Sequence, residues 1–359
     1  MLESDNLINA HGGVTLYFSS ANTQASDVLR QVVNQTGLIE SEAYPNVLSV
    51  QCEGSRLTEF STRCSESLSG ELQDDIACHV QQFGSEPSLS QLMQSRSLRA
   101  VLDQLDGKWI SDILAEQRLV TYFQPIVRLS DPRDVFGYEC LVRGVSEAGQ
   151  VIPPFLMFGV ARRAKLICEL DHAARVKAFA TIAQLDSQEK FFINFSPRVL
   201  QTNHLGVKST IDAALDAGIS TRQIVVEVTE SDEIHQLDQV LNQLHLFREA
   251  GFGIALDDVG AGYSSLTILA DIRPDFVKID MDLIRGANQD RYRGCIVRKL
   301  LELSSELEIC TVAEGIETMD EWAWARDQGA DLGQGYLFAK PEAHLQTIDD
   351  FATSETIKS

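Results

Sequence analysis

What this chain lacks excludes several classes of function. No lysine occurs before Lys108, so the front of the chain differs in composition from the rest. No apolar run approaches the roughly 20 residues that a membrane-spanning helix needs, so no membrane partner is expected. The N-terminus has no basic segment leading into an apolar core, and a cytoplasmic protein is the expectation. Seven cysteines are scattered at 52, 64, 78, 140, 168, 295 and 310. None are paired at zinc-ligand spacing and the number is odd, so reduced, mostly buried thiols are expected. Basic residues are few: Lys and Arg total 30 against 52 Asp and Glu, a formal charge of −22. That balance leaves no basic face for a nucleic-acid polymer. A phosphate-bearing substrate can bind only where a metal or a local Arg or Lys overrides the field.

The 359 residues are 44% hydrophobic and 23% charged, ordinary for a globular protein and enough for one large domain and one small one. Residues 1–100 read as a small N-terminal α/β domain. Val14–Phe18 and Asn46–Val50 have strand character, Ser26–Val33 has helical spacing, and Ser65–Phe83 reads as a polar helix. No chemical motif stands out there, and a regulatory or packing module is the expectation. Gly84–Ser88 reads as a turn or linker. Leu98, Val101, Leu102 and Leu105 then mark a helix. Over residues 101–350 a unit repeats: a short apolar strand ending in polar groups, then an amphipathic helix. Leu237, Val240, Leu241, Leu244 and Phe247 line one helical face; Ile296, Leu300, Leu303 and Leu307 line another. Thr318 with Glu321 forms a capping-box pattern, and Ser196-Pro197 reads as an N-cap followed by proline. Such alternation implies parallel β-α-β units. Their number suits a closed TIM-like (β/α)8 barrel, with an open doubly wound sheet as the alternative. Against that alternative, no Gly-x-Gly-x-x-Gly stands between a strand and a helix.

The chain is organised around Gly253–Asp280. The strand Ile254-Ala255-Leu256 ends in Asp257 and Asp258, a Gly260-Ala261-Gly262 loop follows, and a second strand carries Lys278 and Asp280. The other strand ends also carry oxygen donors: Glu139 with Arg143 on the same face, Asn194, Glu227 with Glu230 just beyond, and Glu314 with Glu317. No histidine or cysteine joins them. Hard oxygen ligands suit Mg²⁺ or Mn²⁺ and make zinc a poor fit. There are more carboxylates than one ion needs, which suggests two metals sharing a bridging carboxylate, with Lys278 beside the attacking water or the developing charge. Taken singly, each acid is an ordinary turn or cap residue; the pattern across six strand ends carries the argument.

These motifs resemble the EAL-type cyclic di-GMP phosphodiesterases of bacteria, over about Ile110 to Pro341. Tyr122-Phe-Gln-Pro-Ile126 is similar to the family's first strand, and Glu139-Cys140-Leu141 stands where Glu-Ala-Leu belongs. Asn194-Phe-Ser196, Glu227-Val-Thr-Glu230, Asp257–Leu266, Lys278-Ile-Asp280, Ala313–Glu317 and Gly333-Gln334-Gly335-Tyr336 follow in the family's order. The resemblance implies a barrel with an antiparallel first strand. It implies hydrolysis of cyclic di-GMP to linear pGpG with two Mg²⁺ or Mn²⁺ per active site. Glu139, Asn194, Glu227 and Asp257 would hold one metal; Asp257, Asp258 and Glu314 the other. Lys278 would orient or help deprotonate the water, and Glu230 would secure the Gly260–Gly262 loop. Arg143 would contact a substrate phosphate, with Gln334, Asp280 and Glu317 in support, and a homodimer is implied. Cys140 and Val259 replace the usual alanine and phenylalanine, and Arg162 stands where an acid is usual. No Gly-Gly-Asp/Glu-Glu-Phe signature occurs in the front part, so no cyclase activity is expected. A catalytically inactive cyclic di-GMP receptor is the alternative, and an enolase-type barrel fits the Asp-Asp loop poorly.

Overall fold

The structure, a computed structural model, describes residues 13–52, 55–146, 148–196, 204–229, 237–261, 265–349 and 351. The chain divides into two compact units: Met1–Arg118 with Gly144–Leu170, and Leu119–Arg143 with Asp171–Ser359.

The first unit holds β1 (Val14–Ser19), α1 (Thr23–Gln35), β2 (Glu40–Tyr44), β3 (Val47–Cys52), α2 (Ser55–Ser67), α3 (Gly70–Asp74), β4 (Ala77–Gln82), α4 (Leu89–Leu92), β5 (Arg96–Ser97) and α5 (Leu98–Ala115). The sheet order is β2-β3-β1-β4-β5, antiparallel throughout, the split β-α-β arrangement. Asn22 caps α1 by accepting from the Ala25 amide at 3.2 Å, satisfying a donor the helix leaves free. Asn46, at φ 62°, makes the β2–β3 turn, a conformation asparagine tolerates. The core gathers Leu16, Phe18, Leu29, Val33, Val50, Phe60 and Ile76. The expected helix over Ser65–Phe83 is not what forms. α2 ends at Ser67, and Ala77–Gln82 becomes β4, paired along the whole of β1. Cys78 and Val80 point into the core while Ala77, His79 and Gln81 are half-buried, so sheet pairing outweighs a weak helical pattern. In the same unit lie β8 (Val151–Ile152) and α6 (Pro154–Arg163). Asp106 of α5, 2% exposed, accepts from Ser61 Oγ of α2 at 2.6 Å and from Arg163 Nε of α6 at 2.7 Å.

The second unit is a barrel. Its strands are β6 (Leu119–Arg128), β7 (Asp131–Val145, running on into the first unit), β9 (Lys190–Asn194), β10 (Ile224–Thr229), β11 (Gly253–Val259), β12 (Phe276–Ile279), β13 (Cys310–Ala313) and β14 (Leu332–Gly333). They run in the order β6-β14-β13-β12-β11-β10-β9-β7, and β6–β7 pairing closes the cylinder. Neighbours from β7 to β14 are parallel, whereas β14 and β6 are antiparallel. The eight-stranded barrel with a reversed first strand is therefore present, not the open sheet. Helices α7 (Ile167–Ile182), α8 (His204–Asp216), α9 (Leu237–Glu249), α10 (Ser265–Ile272), α11 (Met281–Ile284), α12 (Arg291–Glu306) and α13 (Met319–Asp327) connect the strands.

Two details differ from, or complete, the sequence-based expectation for the helices. In α12 the buried face is Gly294, Val297, Leu301 and Ser304, while Ile296 and Leu307 are 49% and 52% exposed. Close approach decides the face: a Cβ on Gly294 would lie 2.7 Å from the Ala287 carbonyl, so small residues turn inward although larger apolar ones are available. The Thr318–Glu321 capping box forms, with both reciprocal bonds present; Pro197 lies outside the described residues. Four of the seven thiols, Cys52, Cys64, Cys78 and Cys140, are buried. Among the described residues no helix is long and apolar enough to cross a membrane.

Candidate active site

Side chains alternate along a strand, so every second residue faces the barrel interior. Ile126, Phe192, Val225, Ala255, Phe276, Val312 and Leu332 form an apolar floor there. Two residues onward, each parallel strand from β9 presents a polar group: Asn194, Glu227, Asp257, Lys278, Glu314 and Gln334. On the reversed β6 the same step runs backwards, from Ile126 to Gln124. Glu139 completes the layer from β7. The whole constellation is thus one ring stacked on an apolar one, at the C-terminal end of the parallel strands, where barrels carry their chemistry.

Lys278, 1% exposed, is the hub. Its Nζ lies 2.8 Å from Glu227 Oε1, 2.8 Å from Glu314 Oε1, 3.1 Å from Asp257 Oδ1 and 3.6 Å from Glu139 Oε2. Glu139 is held at both oxygens: Asn194 Nδ2 donates at 3.1 Å and Gln334 Nε2 at 2.7 Å. Gln334 also donates to Gln124 Oε1 at 3.0 Å, and Gln124 Nε2 donates to the Ala339 carbonyl at 3.3 Å. Gln124 is not among the residues that the sequence pattern singles out. Its signal is a polar residue two places before a floor residue, legible only once the strand's direction is known.

Asp257 and Asp258 are consecutive, yet both reach the ring. The β11–β12 register slips by one residue between Leu256 and Val259, and Asp258 adopts φ 57°. This bulge re-aims the extra residue, at a strain aspartate tolerates better than most. Oxygens of Asp257, Asp258 and Glu314 can all lie within 4.8 Å of one another. Two glycines hold neighbouring strand ends close. A Cβ on Gly315 (φ +66°) would stand 2.3 Å from Met281 Cβ, and one on Gly335 would stand 2.1 Å from the Ile316 carbonyl.

The electrostatics follow from burial. Burial pushes the carboxyl of Glu227 well above the usual range, and Glu139 and Asp257 add to it beyond what Lys278 offsets. Burial and Asp257 push Glu314 up to about 8 despite Lys278, and the same two causes push Asp258 up to about 6. Burial also works against ionised Glu139, but Lys278, Gln334 and Asn194 outweigh it and hold the carboxyl below its ordinary value. Lys278 loses hydration, yet Asp257, Glu139, Glu227 and Glu314 together raise its pKa well above the ordinary value. Five carboxyl groups therefore meet one ammonium, an excess of four negative charges when all are ionised. Neither carboxylate oxygen of the fully buried Glu227 has a hydrogen-bond partner among the described residues, although one makes the ion contact to Lys278. Unpartnered buried oxygens in an over-acidic ring are what hard divalent cations satisfy, so the donor set fits such ions.

Other expected residues lie around the ring. Arg143 has its guanidinium 5.5 Å from the Tyr122 ring centre and donates to the Val142 carbonyl at 2.9 Å; burial lowers its pKa. Asp280 accepts from the Asp282 amide at 2.8 Å, capping α11, and its charge reaches Asp258. Glu317 is turned away into an exposed ion pair with Arg285. Glu230 and Gly262 lie outside the described residues.

Comparison with known proteins agrees with this geometry. The family model described as "EAL domain" matches residues 108–341. The probable cyclic di-GMP phosphodiesterase PdeG of Escherichia coli is 30% identical over 250 residues, 67% of this chain and 48% of that protein. A standalone EAL protein from Vibrio cholerae O395, solved with c-di-GMP bound, is 34% identical with a TM-score of 0.58, covering 64% of this chain and 95% of that one. The calcium and cy-diGMP complex of Klebsiella pneumoniae BlrP1, 23% identical with a TM-score of 0.60, covers 94% of this chain and 98% of that one and adds likeness of fold. The chain spans between 28% and 56% of the first curated relatives it matches. By its barrel, its ring of oxygen donors and this match, the chain belongs to the EAL domain family.

Proposed function

We propose that this chain is a metal-dependent phosphodiesterase that hydrolyses one phosphodiester of cyclic di-GMP to linear pGpG. The observation that supports the reading is the over-acidic ring: five carboxyl groups around one buried ammonium. Two Mg²⁺ or Mn²⁺ ions, when bound, would supply Lewis acidity and neutralise phosphoryl charge. Glu139, Asn194, Glu227 and Asp257 would hold the first, and Asp257, Asp258 and Glu314 the second.

In the metal-free ring four acidic groups surround Lys278 and raise its pKa. Beside the bound metals it would orient the attacking water, or help deprotonate it, and stabilise charge developing on the phosphoryl oxygens. Gln334 and Asn194 fix both oxygens of Glu139. Arg143, steadied on Tyr122, is the group for a non-reacting phosphate of the substrate. The water oxygen would bond to phosphorus as one P–O bond to a 3′ oxygen breaks, and the proton the water gives up would end, through solvent, on that departing oxygen, leaving a 5′-phosphate and a 3′-hydroxyl. Asp280, Glu317 and Glu230 would support neighbouring loops. Residues 1–100 would form a regulatory module and residues 101–350 the catalytic barrel, in a cytoplasmic homodimer.

Chromatography of purified chain with cyclic di-GMP tests the reading. Linear pGpG should accumulate with Mg²⁺ or Mn²⁺ and stop on chelation. Tight nucleotide binding with no product in either metal would instead identify an inactive receptor.

A further inference from the structure

Behind Asn194, outside the barrel interior, sits a buried charge that the proposed chemistry does not use. Arg175 of α7 is 2% exposed. Its guanidinium carbon stands 3.9 Å from the centre of the Phe195 ring. Nε donates to Thr210 Oγ1 of α8 at 3.1 Å, and Nη1 pairs with Asp171, one turn earlier in α7. Thr210 in turn donates to the Gly206 carbonyl at 2.7 Å. Asp171 accepts the backbone N–H of Ser196. Arg175 Nη2 has no acceptor among the described residues.

Helix α7 thus grips the short segment Asn194-Phe195-Ser196, Phe195 by its ring and Ser196 by its backbone, while Thr210 of α8 braces Arg175. Phe195 is also tied on the strand side, where its amide donates to the Glu227 carbonyl at 2.9 Å. Because side chains alternate, fixing Phe195 from behind fixes the direction of Asn194 into the ring, where its amide donates to Glu139. A buried ion pair is a weak source of net stability, since apolar replacement is often neutral or better. Its value here is geometric: a planar guanidinium can lie flat on a ring and still fork to an acid, and a lysine cannot.

We propose that Arg175 is a positioning residue for Asn194, and through it sets the cation affinity of the site formed with Glu139, Glu227 and Asp257. The inference rests on the metal-site part of the proposed function. It is tested by calorimetric titration of the full chain with Mn²⁺, without nucleotide, in the wild type, Arg175→Lys, Asn194→Ala and the double variant. Arg175→Lys should weaken Mn²⁺ binding about tenfold or more, the scale seen when groups that orient ligands are lost. The metal-free melting temperature should move little. The double variant should bind no more weakly than Asn194→Ala alone, because Arg175 acts only through Asn194. Unchanged affinity in folded Arg175→Lys, or losses that multiply in the double variant, would overturn the proposal. If Arg175→Lys does not fold, the joint Asp171→Leu and Arg175→Met protein, which removes both charges together, is read by the same criteria. A wild type that binds Mn²⁺ yet forms no pGpG would refute the phosphodiesterase reading while leaving the titration decisive for Arg175.

Discussion

Replacing Glu314 with glutamine should make the metal-free protein more stable at alkaline pH and change it little near pH 5. In the fold this carboxyl is raised from 4.5 to about 8; in the unfolded chain it titrates in the ordinary range. Between those values the folded state holds a proton that the unfolded state has lost. Stability is therefore greatest at low pH and declines as pH climbs through that window. At about 1.4 kcal/mol per pH unit the full shift corresponds to at most about 5 kcal/mol. Glu314 shares Lys278 with Glu139, Glu227 and Asp257, and coupled titration of this kind reduces the part assignable to one group to on the order of 2 kcal/mol. Glutamine has no proton to lose, so the variant should melt about 3 °C above the wild type at pH 8.5 in chelator. Adding Mn²⁺ should reverse the order, since the wild type gains a ligand and the variant has lost one. Melting curves across pH 5–8.5, with and without Mn²⁺, provide the assay. Parallel pH profiles for the two metal-free proteins would refute the claim that this acid is forced together with its neighbours.

Lys278→Ala should lower turnover at least about 100-fold and destabilise the metal-free protein by about 3–5 kcal/mol, because the surrounding acids lose their counter-charge; steady-state rates and chemical denaturation measure the two effects. Asp106→Ala should cost about 3 kcal/mol, seen as a lower melting temperature, because Arg163 and Ser61 lose their common acceptor. Gly335→Ala should destabilise by at least about 2 kcal/mol and lower kcat, since the new methyl meets the Ile316 carbonyl at 2.1 Å and relieving the clash displaces the backbone next to Gln334.

The repeat of strand and helix was legible because apolar periodicity changes from two to 3.6 at each boundary, and the strand-end acids were legible because each follows a short apolar run. Lys278, Glu227 and Asp257 needed nothing beyond that alternation. Gln124 was not singled out, because the two-residue step that finds the other ring residues has to be taken backwards along the reversed β6 to reach it. The inward face of α12 was missed for a related reason: close approach selects Gly294, and hydrophobicity points instead to Ile296 and Leu307. The segment Ala77–Gln82 has too few apolar residues to declare a strand, and only its pairing with β1 makes it one. Arg175 behind Asn194 had no sequence signal at all, since its ring contact joins α7 to the residue that follows β9.

Anomalous scattering from a crystal grown with Mn²⁺ tests the central claim most directly. Two peaks are predicted inside the ring, one among Glu139, Asn194, Glu227 and Asp257 and the other among Asp257, Asp258 and Glu314. A ring without ordered Mn²⁺, its Lys278 still the sole counter-charge, would contradict the account.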